Sequence, residues 1–490
     1  MFHSKKVDHE IGSRLDFDNL CVSFSSSLYL DMIKRTKDSS CGSDSRQLDD
    51  KKTHDPIRNL ETSEVIDKTL STDARIRLAG QLFIESYSSK FDEISDPAHP
   101  FTVSALGLSD EEAKDIKLLI GLLASVEKTD QRQFNQARKF IEICNNMSSD
   151  EGNPIERLVY YFSEAIREKI NRETEKVVRC KFESMHVIDL HEAMMRADKR
   201  ILAFHQKLPL SQIYQFSTIQ SIVVNVRGSR KVHVIDFEIR SGMKYMIMLR
   251  TFANQEWRVE QLKITAVGTK AELKIKDAGT RLAEYARSMN IAFSFKIVMV
   301  ADILDFNTDL LELDEDEKVA VCAPFFLSTL ISKPKSLEHL MRVIRKINPC
   351  ITVITEIEAN HTTPAFANRF TQALFFYGTI FDSSSCCSEN DERYRKITES
   401  VFFGQTIRNI VAADGDERTI RHIGVDVWRT FLARFGMVEN EVSDESVFEA
   451  KVLISSFNCG NGCSIRVDGG CLLIDWKDVP VFCVSAWQFV

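Results

Sequence analysis

Residues 231–237, Lys-Val-His-Val-Ile-Asp-Phe, are the stretch that most constrains what this chain can fold into. Val232, Val234 and Ile235 are apolar and β-branched, and a short continuous run of this kind predicts a strand buried on both faces. Asp236 then places a carboxylate at the carboxyl end of that strand. Because ligands bind at this edge of an open α/β sheet, the stretch predicts the first strand of a nucleotide-binding type of domain.

The pattern that follows predicts a mostly parallel sheet. Gly242 comes soon after Asp236, and a helical pattern begins directly after the glycine. Beyond residue 230, strand-like runs alternate with helical runs, which predicts parallel strands joined by right-handed crossovers. The predicted strands are residues 231–237, 262–268, 293–301, 318–325 and 350–358, and the predicted helices between them are 243–254, 270–288 and 335–346.

The carboxyl-terminal end of the chain has a different pattern. Residues 463–467 and 471–476 flank Asp-Gly-Gly, which is a strong hairpin signal because glycine tolerates positive φ. A further strand is predicted at 481–486. A mostly parallel sheet with a reversed carboxyl-terminal hairpin resembles the layout of Rossmann-type methyltransferases, so the predicted fold class is α/β.

The chain before this sheet divides into a tail and a helical cap. Residues 1–70 are rich in Ser, Asp and Lys with little apolar periodicity, and such a composition cannot offset the entropy of ordering the chain. We therefore predict a disordered tail followed by one domain at 71–490. Within that domain, residues 71–225 are expected to form a mainly helical cap and residues 226–490 the α/β core.

Helix-start signals organise the predicted cap. In each signal, a polar side chain that can accept a backbone N–H precedes an acidic or amide residue by three positions. The three pairs are Ser109 with Glu112, Asp130 with Gln133, and Asn153 with Glu156. Residues 185–226 continue the helical pattern and are broken at Pro209.

Composition limits the classes of function. The twelve cysteines have neither a disulfide-framework spacing nor a zinc-ligand spacing, so no metal is expected. No apolar run reaches the ~18 residues of a membrane span, and no apolar signal core begins the chain, so we expect a soluble intracellular protein. A net charge of −8 argues against DNA phosphates as the main partner. Short basic clusters at 34–37 and 51–52 are weak nuclear-import signals, better explained as solvated surface.

Methyl transfer from S-adenosylmethionine is the enzymatic alternative that this layout raises. A loop for this cofactor needs several glycines so that backbone N–H groups can approach the ligand closely. Only Gly242 is present, and Glu238 and Arg240 place charged side chains where the ligand would lie. Asp236 and Gly242 would bind the cofactor if the alternative held. We instead expect no cofactor and no catalysis, with Asp236 acting as a helix cap or a hydrogen-bonded structural carboxylate.

A polar group at the end of the fifth predicted strand is the other candidate for acid–base chemistry. Glu356 and Glu358 alternate along the strand and so point to the same face, followed by Asn360 and His361. A rigid network that caps the next helix explains these residues better than catalysis does. His233 lies within the first buried strand, where it is expected to be a hydrogen-bonded core histidine.

These motifs together resemble the GRAS family of plant transcriptional regulators. Val232, His233, Val234, Ile235 and Asp236 are similar to its VHIID motif. The regions at about 110–200 and 275–310 resemble its two leucine-rich regions. Residues similar to its PFYRE region are Pro349, Glu356, Glu358, Asn360, His361, Arg369, Tyr377, Arg418 and Arg421, and those similar to its SAW region are Trp428, Trp476, Ser485, Ala486 and Trp487.

The sequence departs from the family pattern at two motifs. The family's Gly-x-Gln-Trp is Gly242-Met-Lys244-Tyr245 here, and its Arg-Glu element is Gln405-Thr406. Polar contacts that those family residues make are therefore in doubt in this chain. The helical region resembles the DELLA-like branch, although the tail carries no DELLA motif.

The resemblance implies a helical cap on a methyltransferase-like core and residence in the nucleus, with the cytoplasm as a second location. It implies a scaffold or co-regulator that acts through other GRAS proteins and DNA-binding transcription factors, as a homodimer or heterodimer. It implies no membrane contact and leaves direct DNA contact open.

Two expectations concern packing in the second half of the chain. If their segment is helical, Arg418 and Arg421 share one face, from which they pair with Glu356 or Glu358. Trp476 and a second tryptophan at 487, at the ends of adjacent predicted strands, are expected to be buried and to hold those strands in the sheet.

Overall fold

The computed structural model describes residues 70–88, 107–175, 208–254, 259–386 and 392–490. The predicted tail up to residue 69, its basic clusters and residues 185–207 of the helical pattern predicted over 185–226 lie outside these ranges. Within the described ranges, no helix combines the length and the apolar composition that crossing a bilayer requires.

The helices of the described residues are named in chain order. They are α1 Thr72–Ser88, α2 Asp110–Asp130, α3 Phe134–Met147, α4 Pro154–Glu175, α5 Pro209–Asn225, α6 Met243–Asn254, α7 Glu272–Ser288, α8 Pro334–Ile347, α9 Phe366–Cys386, α10 Glu392–Thr398, α11 Gln405–Ala412, α12 Val425–Ala433 and α13 Asp444–Ser455. A π-helix, Glu399–Gly404, joins α10 to α11.

Nine strands of the described residues form one sheet. They are β1 Lys231–Asp236, β2 Gln261–Gly268, β3 Ala292–Met299, β4 Lys318–Pro324, β5 Ile351–Ile357, β6 Met437–Glu439, β7 Cys463–Asp468, β8 Cys471–Trp476 and β9 Val479–Phe489. Their order is β3-β2-β1-β4-β5-β9-β8-β7, and β6 pairs with β9 off this path. The first five are parallel, whereas β9 is antiparallel to β5 and β8. The predicted α/β sheet with a reversed carboxyl-terminal hairpin is confirmed.

The sheet is buried on both faces along its first strand, as the continuous apolar run predicts. Val232 and Val234 belong to a large core cluster that extends into the helical cap. Ile235 belongs to a second cluster on the opposite face, formed with residues of α8 and α12. The crossover from β3 to β4 contains no α-helix; it holds two short 3-10 turns, Ile303–Asp305 and Thr308–Leu310.

The helix-start predictions for the cap are right at two of three positions. Ser109 and Glu112 form a capping box at the start of α2, and Asn153 accepts the N–H of Glu156 at 3.0 Å at the start of α4. The prediction for Asp130 is wrong, because this residue ends α2 and Gln133 precedes α3 without a side-chain cap. α2 continues as far as Asp130, and the spacing between Asp130 and Gln133 does not show whether a helix ends or begins there.

Helices from both halves of the chain build the cap. α4 packs against α2 and α3, and also against α9 and α11 from beyond residue 365. At this junction Arg157 of α4 is 3% exposed, and its Nε lies 3.1 Å from the carboxylate of Glu399, which is fully buried. The cap and the sheet therefore share one continuous core.

Candidate functional site

Asp236 lies at the point of the sheet where a nucleotide-binding fold would hold its ligand. It ends β1, which has β2 on one side and β4 on the other, so the strand order reverses beside it. Its side chain is fully buried. A buried carboxylate is costly unless it is paired and hydrogen-bonded, so its partners decide what this site can do.

The partners of Asp236 come from the chain itself. Its Oδ1 accepts the backbone N–H of Glu238 at 2.6 Å. Its Oδ2 lies 2.7 Å from Nζ of Lys244 and also accepts the hydroxyl of Tyr245. Both carboxylate oxygens are thus engaged. Of the two structural roles that the sequence suggested for Asp236, the structure shows the hydrogen-bonded carboxylate and not the helix cap of α6.

The electrostatics of this group favour a fixed ion pair. Burial has the largest single effect on Lys244 and lowers its pKa, but the charge of Asp236, the neighbouring Cys322 and the hydrogen bond to Asp236 together outweigh burial, so the net pKa is raised and the ammonium stays charged. Burial, together with the charge of Asp236, raises the pKa of Tyr245 well above its usual value. Tyr245 therefore remains a neutral hydroxyl donor across the physiological range.

The loop between β1 and α6 is closed over this group. Lys244 also donates to the carbonyl of Glu238 at 3.1 Å, and Nε of Arg240 lies 3.2 Å from the Glu238 carboxylate. The guanidinium of Arg240 stacks over the ring of Phe325 at 4.8 Å. Gly242 has φ +73°, and an added Cβ would lie 3.0 Å from Leu282 of α7, so this glycine serves helix packing.

His233 is a hydrogen-bonded core histidine, as the sequence predicts. It is fully buried, with Nδ1 2.6 Å from Glu317 and Nε2 2.8 Å from the hydroxyl of Thr265. Burial lowers the pKa of His233 despite the carboxylate beside it. Both ring nitrogens are engaged by the protein.

Glu356 and Glu358 serve two different helix starts. Glu356 accepts the N–H of Ser328 at 3.1 Å, at the 3-10 helix Leu327–Leu330, and burial raises its pKa to about 8. Glu358, just beyond β5, accepts the N–H of Val425 at 3.0 Å at the start of α12, and burial raises its pKa to about 7. These glutamates do accept N–H groups at helix starts, as expected. The helices are the 3-10 helix Leu327–Leu330 and α12, whereas the expected helix was the one that follows β5 in sequence, α9.

Asn360 and His361 stabilise the turn after β5. Asn360 accepts the hydroxyl of Thr362 at 2.9 Å, whereas α9 begins only at Phe366. The ring of His361 packs edge-on against that of His422, with centroids 5.3 Å apart. Burial lowers the pKa of His361 well below its usual value and that of His422 to about 4, so both rings are neutral at physiological pH.

The segment bearing Arg418 and Arg421 is not helical, so the condition for the expected pairing with Glu356 or Glu358 is not met. Between the 3-10 turn Gly415–Glu417 and α12 the chain is irregular. The guanidinium of Arg418 donates to the carbonyls of His361 and Thr362 at 3.1 and 3.2 Å, and Arg421 donates to the carbonyl of Arg418. These arginines therefore bind backbone carbonyls, while the two glutamates take the N–H groups described above.

Other motif residues are structural as well. Arg369, 2% exposed, donates to the carbonyls of Ile410, Thr363 and Pro364. The ring of Tyr377 stacks on that of His361 at 6.4 Å, and burial raises the pKa of Tyr377. Pro349 is buried between α8 and β5, where a proline commonly follows a helix end.

The SAW residues fix the carboxyl-terminal strands. Trp476, Trp487 and Trp428 are 1%, 2% and 4% exposed, as expected for buried rings. The indole N–H of Trp487 donates to Ser485 at 2.9 Å, and Ser485 and Ala486 pair with Ile354 and Val353 of β5. The indole N–H of Trp476 donates to Asp382 of α9 at 2.6 Å, which ties β8 to the cap.

Sequence reasoning missed the two residues that decide the site. It read Lys244 and Tyr245 only as departures from a motif, although the first turn of a helix after a parallel strand must lie over that strand's carboxyl end. That position was the available signal. The described residues contain no group of three or more His, Cys, Asp or Glu side chains arranged to hold a metal ion.

The family model of the GRAS domain family matches residues 116–488. The chain belongs to the GRAS family. The resemblance drawn from its motifs is therefore confirmed. The crystal structure of SCL7 from Oryza sativa has a similar fold, with a TM-score of 0.66 at 22% identity, covering 76% of this chain and 99% of that one.

DELLA proteins are among the curated relatives of this GRAS chain. DELLA protein GAI1 of Vitis vinifera is 27% identical over 386 residues, 78% of this chain and 63% of that protein. DELLA protein 2 of Medicago truncatula is 28% identical over 392 residues, 79% of this chain and 70% of that protein. The match spans less than two thirds of the Vitis relative. Together with the family match, these relatives place the chain in a family of plant transcriptional regulators.

Proposed function

We propose that this GRAS protein is a nuclear transcriptional regulator that works as a scaffold or co-regulator by binding other proteins, and that it does not transfer methyl groups. Its proposed partners are other GRAS proteins, including a second copy of itself, and DNA-binding transcription factors. The observation that carries the proposal is the occupied carboxylate of Asp236, whose oxygens are held by Glu238, Lys244 and Tyr245.

Because the carboxylate of Asp236 is already bound by groups of the protein, it is not available to a cofactor. A nucleotide cradle presents free backbone N–H groups and an acidic side chain to the ligand. Here the N–H of Glu238 already binds Asp236, and the ammonium of Lys244 is 8% exposed in an ion pair with the same carboxylate. A cofactor would have to displace a buried salt bridge, and breaking such a pair costs about 3–5 kcal/mol.

Charge supports action through proteins rather than through DNA alone. The chain has 71 acidic and 63 basic residues, a net charge of −8. Sequence-independent DNA affinity comes from Lys and Arg at phosphates, so an acidic chain lacks the field that would drive it.

The cofactor question is tested by thermal unfolding of the full chain with S-adenosylmethionine or S-adenosylhomocysteine. We expect no change in melting temperature relative to an unrelated adenine nucleotide. A ligand at a hundredfold excess over its Kd stabilises a protein by about 2.7 kcal/mol, which such a scan resolves easily. A saturable rise in melting temperature specific to the two adenosyl compounds would overturn the non-enzymatic part of the proposal.

The regulatory role is tested by tethering the chain to a heterologous DNA-binding domain in plant cells with a reporter gene. We expect reporter output to change only when the chain is tethered, and a fluorescent fusion to accumulate in nuclei. The untethered chain is the control. Sequence-specific binding of the purified chain to DNA at physiological salt, with no effect of tethering, contradicts the proposal.

A further inference from the structure

Three cysteines lie at the junction between the end of α9 and the β7–β8 hairpin. Cys386 is the last residue of α9. Cys459 immediately precedes the 3-10 turn Gly460–Gly462, and Cys463 follows this turn as the first residue of β7. Cys463 lies opposite Trp476 in the ladder between β7 and β8. Two of the three thiols are thereby placed beside the strand that carries Trp476.

Contacts of Asp382 and Lys477 bring the end of α9 to this turn. Asp382 lies one helical turn before Cys386, so the two side chains share a face of α9. Its carboxylate accepts the indole N–H of Trp476 at 2.6 Å and lies 2.6 Å from Nζ of Lys477. On the other side, the backbone N–H of Lys477 donates to the carbonyl of Gly462 at 2.6 Å, and a Cβ added to Gly462 would lie 2.7 Å from the ring of Trp476. The end of α9 and the turn therefore meet at the same two residues.

The three thiols also lie close enough for their charges to act on one another. Burial, followed by the charges of Cys459 and Cys386, raises the pKa of Cys463 to about 12. Burial raises the pKa of Cys386 as well, and the charges of Asp382 and Cys459 add to this rise. The ammonium of Lys477 lowers the pKa of Cys386 and so opposes the rise. These groups of α9, the turn and the β8–β9 connection all face the same point.

Exposure decides which two of these thiols a dissolved oxidant can reach. Cys386 is exposed and Cys459 is half-buried, whereas Cys463 is only 8% exposed. Oxidation of cysteine follows the accessibility of the sulfur as well as its thiolate character. Cys386 and Cys459 are therefore the accessible pair of the junction.

We propose that Cys386 and Cys459 are a modification site, at which hydrogen peroxide joins the two thiols in a reversible disulfide. The bond would tie the end of α9, in the cap, to the start of the β7–β8 hairpin. It would add a covalent link at the place where Trp476 already binds Asp382. The inference goes beyond the proposed function and does not depend on it, so its failure would leave that function intact.

The reaction proceeds in two displacements. The thiolate of Cys386, the exposed thiol, attacks one oxygen of hydrogen peroxide; the O–O bond breaks, and the departing hydroxide takes up a proton to become water. Cys386 is then a sulfenic acid. The thiolate of Cys459 attacks its sulfur, the S–S bond forms, the S–O bond breaks, and a second water leaves. Each sulfur has lost one electron and each peroxide oxygen has gained one, so two thiols and one peroxide give one disulfide and two waters.

The raised pKa of Cys386 makes the first displacement slow at neutral pH, because the thiolate and not the thiol attacks peroxide. The thiolate fraction grows about tenfold for each pH unit below the pKa, so we expect disulfide formation to accelerate steeply as pH rises. A rate that does not change with pH contradicts the assignment of Cys386 as the attacking thiol.

Peptide mapping of the full chain tests the proposal. The reduced protein is treated with hydrogen peroxide, its remaining thiols are alkylated, and its digest is analysed by tandem mass spectrometry. We expect a pair of peptides joined through Cys386 and Cys459, lighter by two hydrogen atoms than the reduced peptides together. Dithiothreitol added after oxidation should restore both thiols, because a thiolate exchanges with an accessible disulfide.

Serine variants assign the bond to its two sulfurs. Cys386→Ser and Cys459→Ser should each abolish the linked pair. The matched control is Cys387→Ser, which removes the next cysteine in the sequence and should leave the bond in place. Cys350→Ser is a second control, because Cys350 is also partly exposed but lies between α8 and β5. Far-UV circular dichroism of each reduced variant shows that it is folded before oxidation.

Three results would overturn the inference. The first is a disulfide between Cys459 and Cys463, which would close the turn on itself and leave α9 unlinked. The second is a linked pair that persists in Cys386→Ser or disappears in Cys387→Ser. The third is oxidation of Cys386 to sulfinic or sulfonic acid with no disulfide, which would show that Cys459 does not reach it.

Discussion

At the scale of single residues, the motif arginines and glutamates bind backbone groups, and Asp236 binds side chains of the helix that follows it. Asp236 is satisfied by Lys244 and Tyr245, while Arg369 and Arg418 each bind several carbonyls. Such buried polar groups are expensive to leave unpaired and close to neutral when fully satisfied. Their role is to fix how the loops after the strands are folded.

Removing either partner of Asp236 is expected to destabilise the chain by different amounts. Lys244→Met leaves a buried carboxylate without its cation and should cost about 3–5 kcal/mol. Tyr245→Phe removes one hydroxyl donor and should cost about 1–3 kcal/mol. Chemical denaturation of the two variants measures the difference. A Lys244→Met variant as stable as the wild type would show that the ion pair is unimportant.

Glu356 gives a pH-dependent prediction. Its pKa is raised from 4.5 to about 8 by burial, so it favours the folded state as a neutral acid, and that contribution is lost as pH rises through 8. Each pKa unit corresponds to about 1.4 kcal/mol. Glu356→Gln, which keeps an acceptor for Ser328, should therefore gain stability relative to the wild type between pH 5 and pH 9. Melting curves across this range that differ by a constant amount would contradict the prediction.

At the scale of elements, β9 is the piece that completes the sheet. It lies between the parallel strand β5 and the hairpin strand β8, so both of its edges are paired. The loss of β9 would therefore leave β5 with an open edge and would detach β7 and β8. Trp487 anchors it, packed in the second core cluster with residues of α8 and α12.

Trp487→Ala is expected to cost about 3–5 kcal/mol, because a large ring is removed from a buried site. We expect the loss to open β7, β8 and β9 together rather than to remove one contact. Amide exchange in these strands measures this directly. Val438→Ala, at an exposed position of β6, is the control and should change little. A soluble Trp487→Ala protein with the wild-type melting temperature would refute the expectation.

At the scale of the whole molecule, the cap and the sheet share one core of buried apolar residues. Glu399 of the π-helix is fully buried between Arg157 of α4 and Arg395 of α10, at 3.1 and 3.0 Å. Thr72 of α1 and Trp476 of β8 both donate to Asp382 of α9. The Arg157–Glu399 and Thr72–Asp382 contacts join residues 242 and 310 positions apart in sequence.

Glu399→Gln should therefore destabilise the whole domain. The substitution leaves two buried guanidiniums without their counter-charge, and we expect a cost of about 3–5 kcal/mol. Glu392→Gln, at an exposed position of α10, is the matched control and should be neutral. Unfolding followed by separate probes in the cap and the sheet should show one shared transition moved to lower denaturant. If only the cap signal moves, the two layers are independent.

The strands and their periods were predictable because they follow from local sequence. Apolar runs at 231–237 and 350–358 match β1 and β5 within a residue or two, and the Asp-Gly-Gly turn marks the β7–β8 hairpin. The failures have different causes. The residue type and spacing at Asp130 suit a helix start, but α2 continues as far as this residue, whereas Arg418 lies in an irregular segment and binds carbonyls of the turn after β5.

The sequence alone determined the fold class, the family and the buried character of its motifs, since periodicity, glycine positions and motif order are local properties of the chain. Only the tertiary structure decided what the motif side chains contact. Partners such as Arg157 with Glu399, or Arg418 with the carbonyls after β5, are set by which distant segments the packed core brings together. Likewise, whether a carboxylate at a strand end is free to bind a ligand depends on the side chains in the first turn of the helix that follows it. In this chain Lys244 and Tyr245 occupy it.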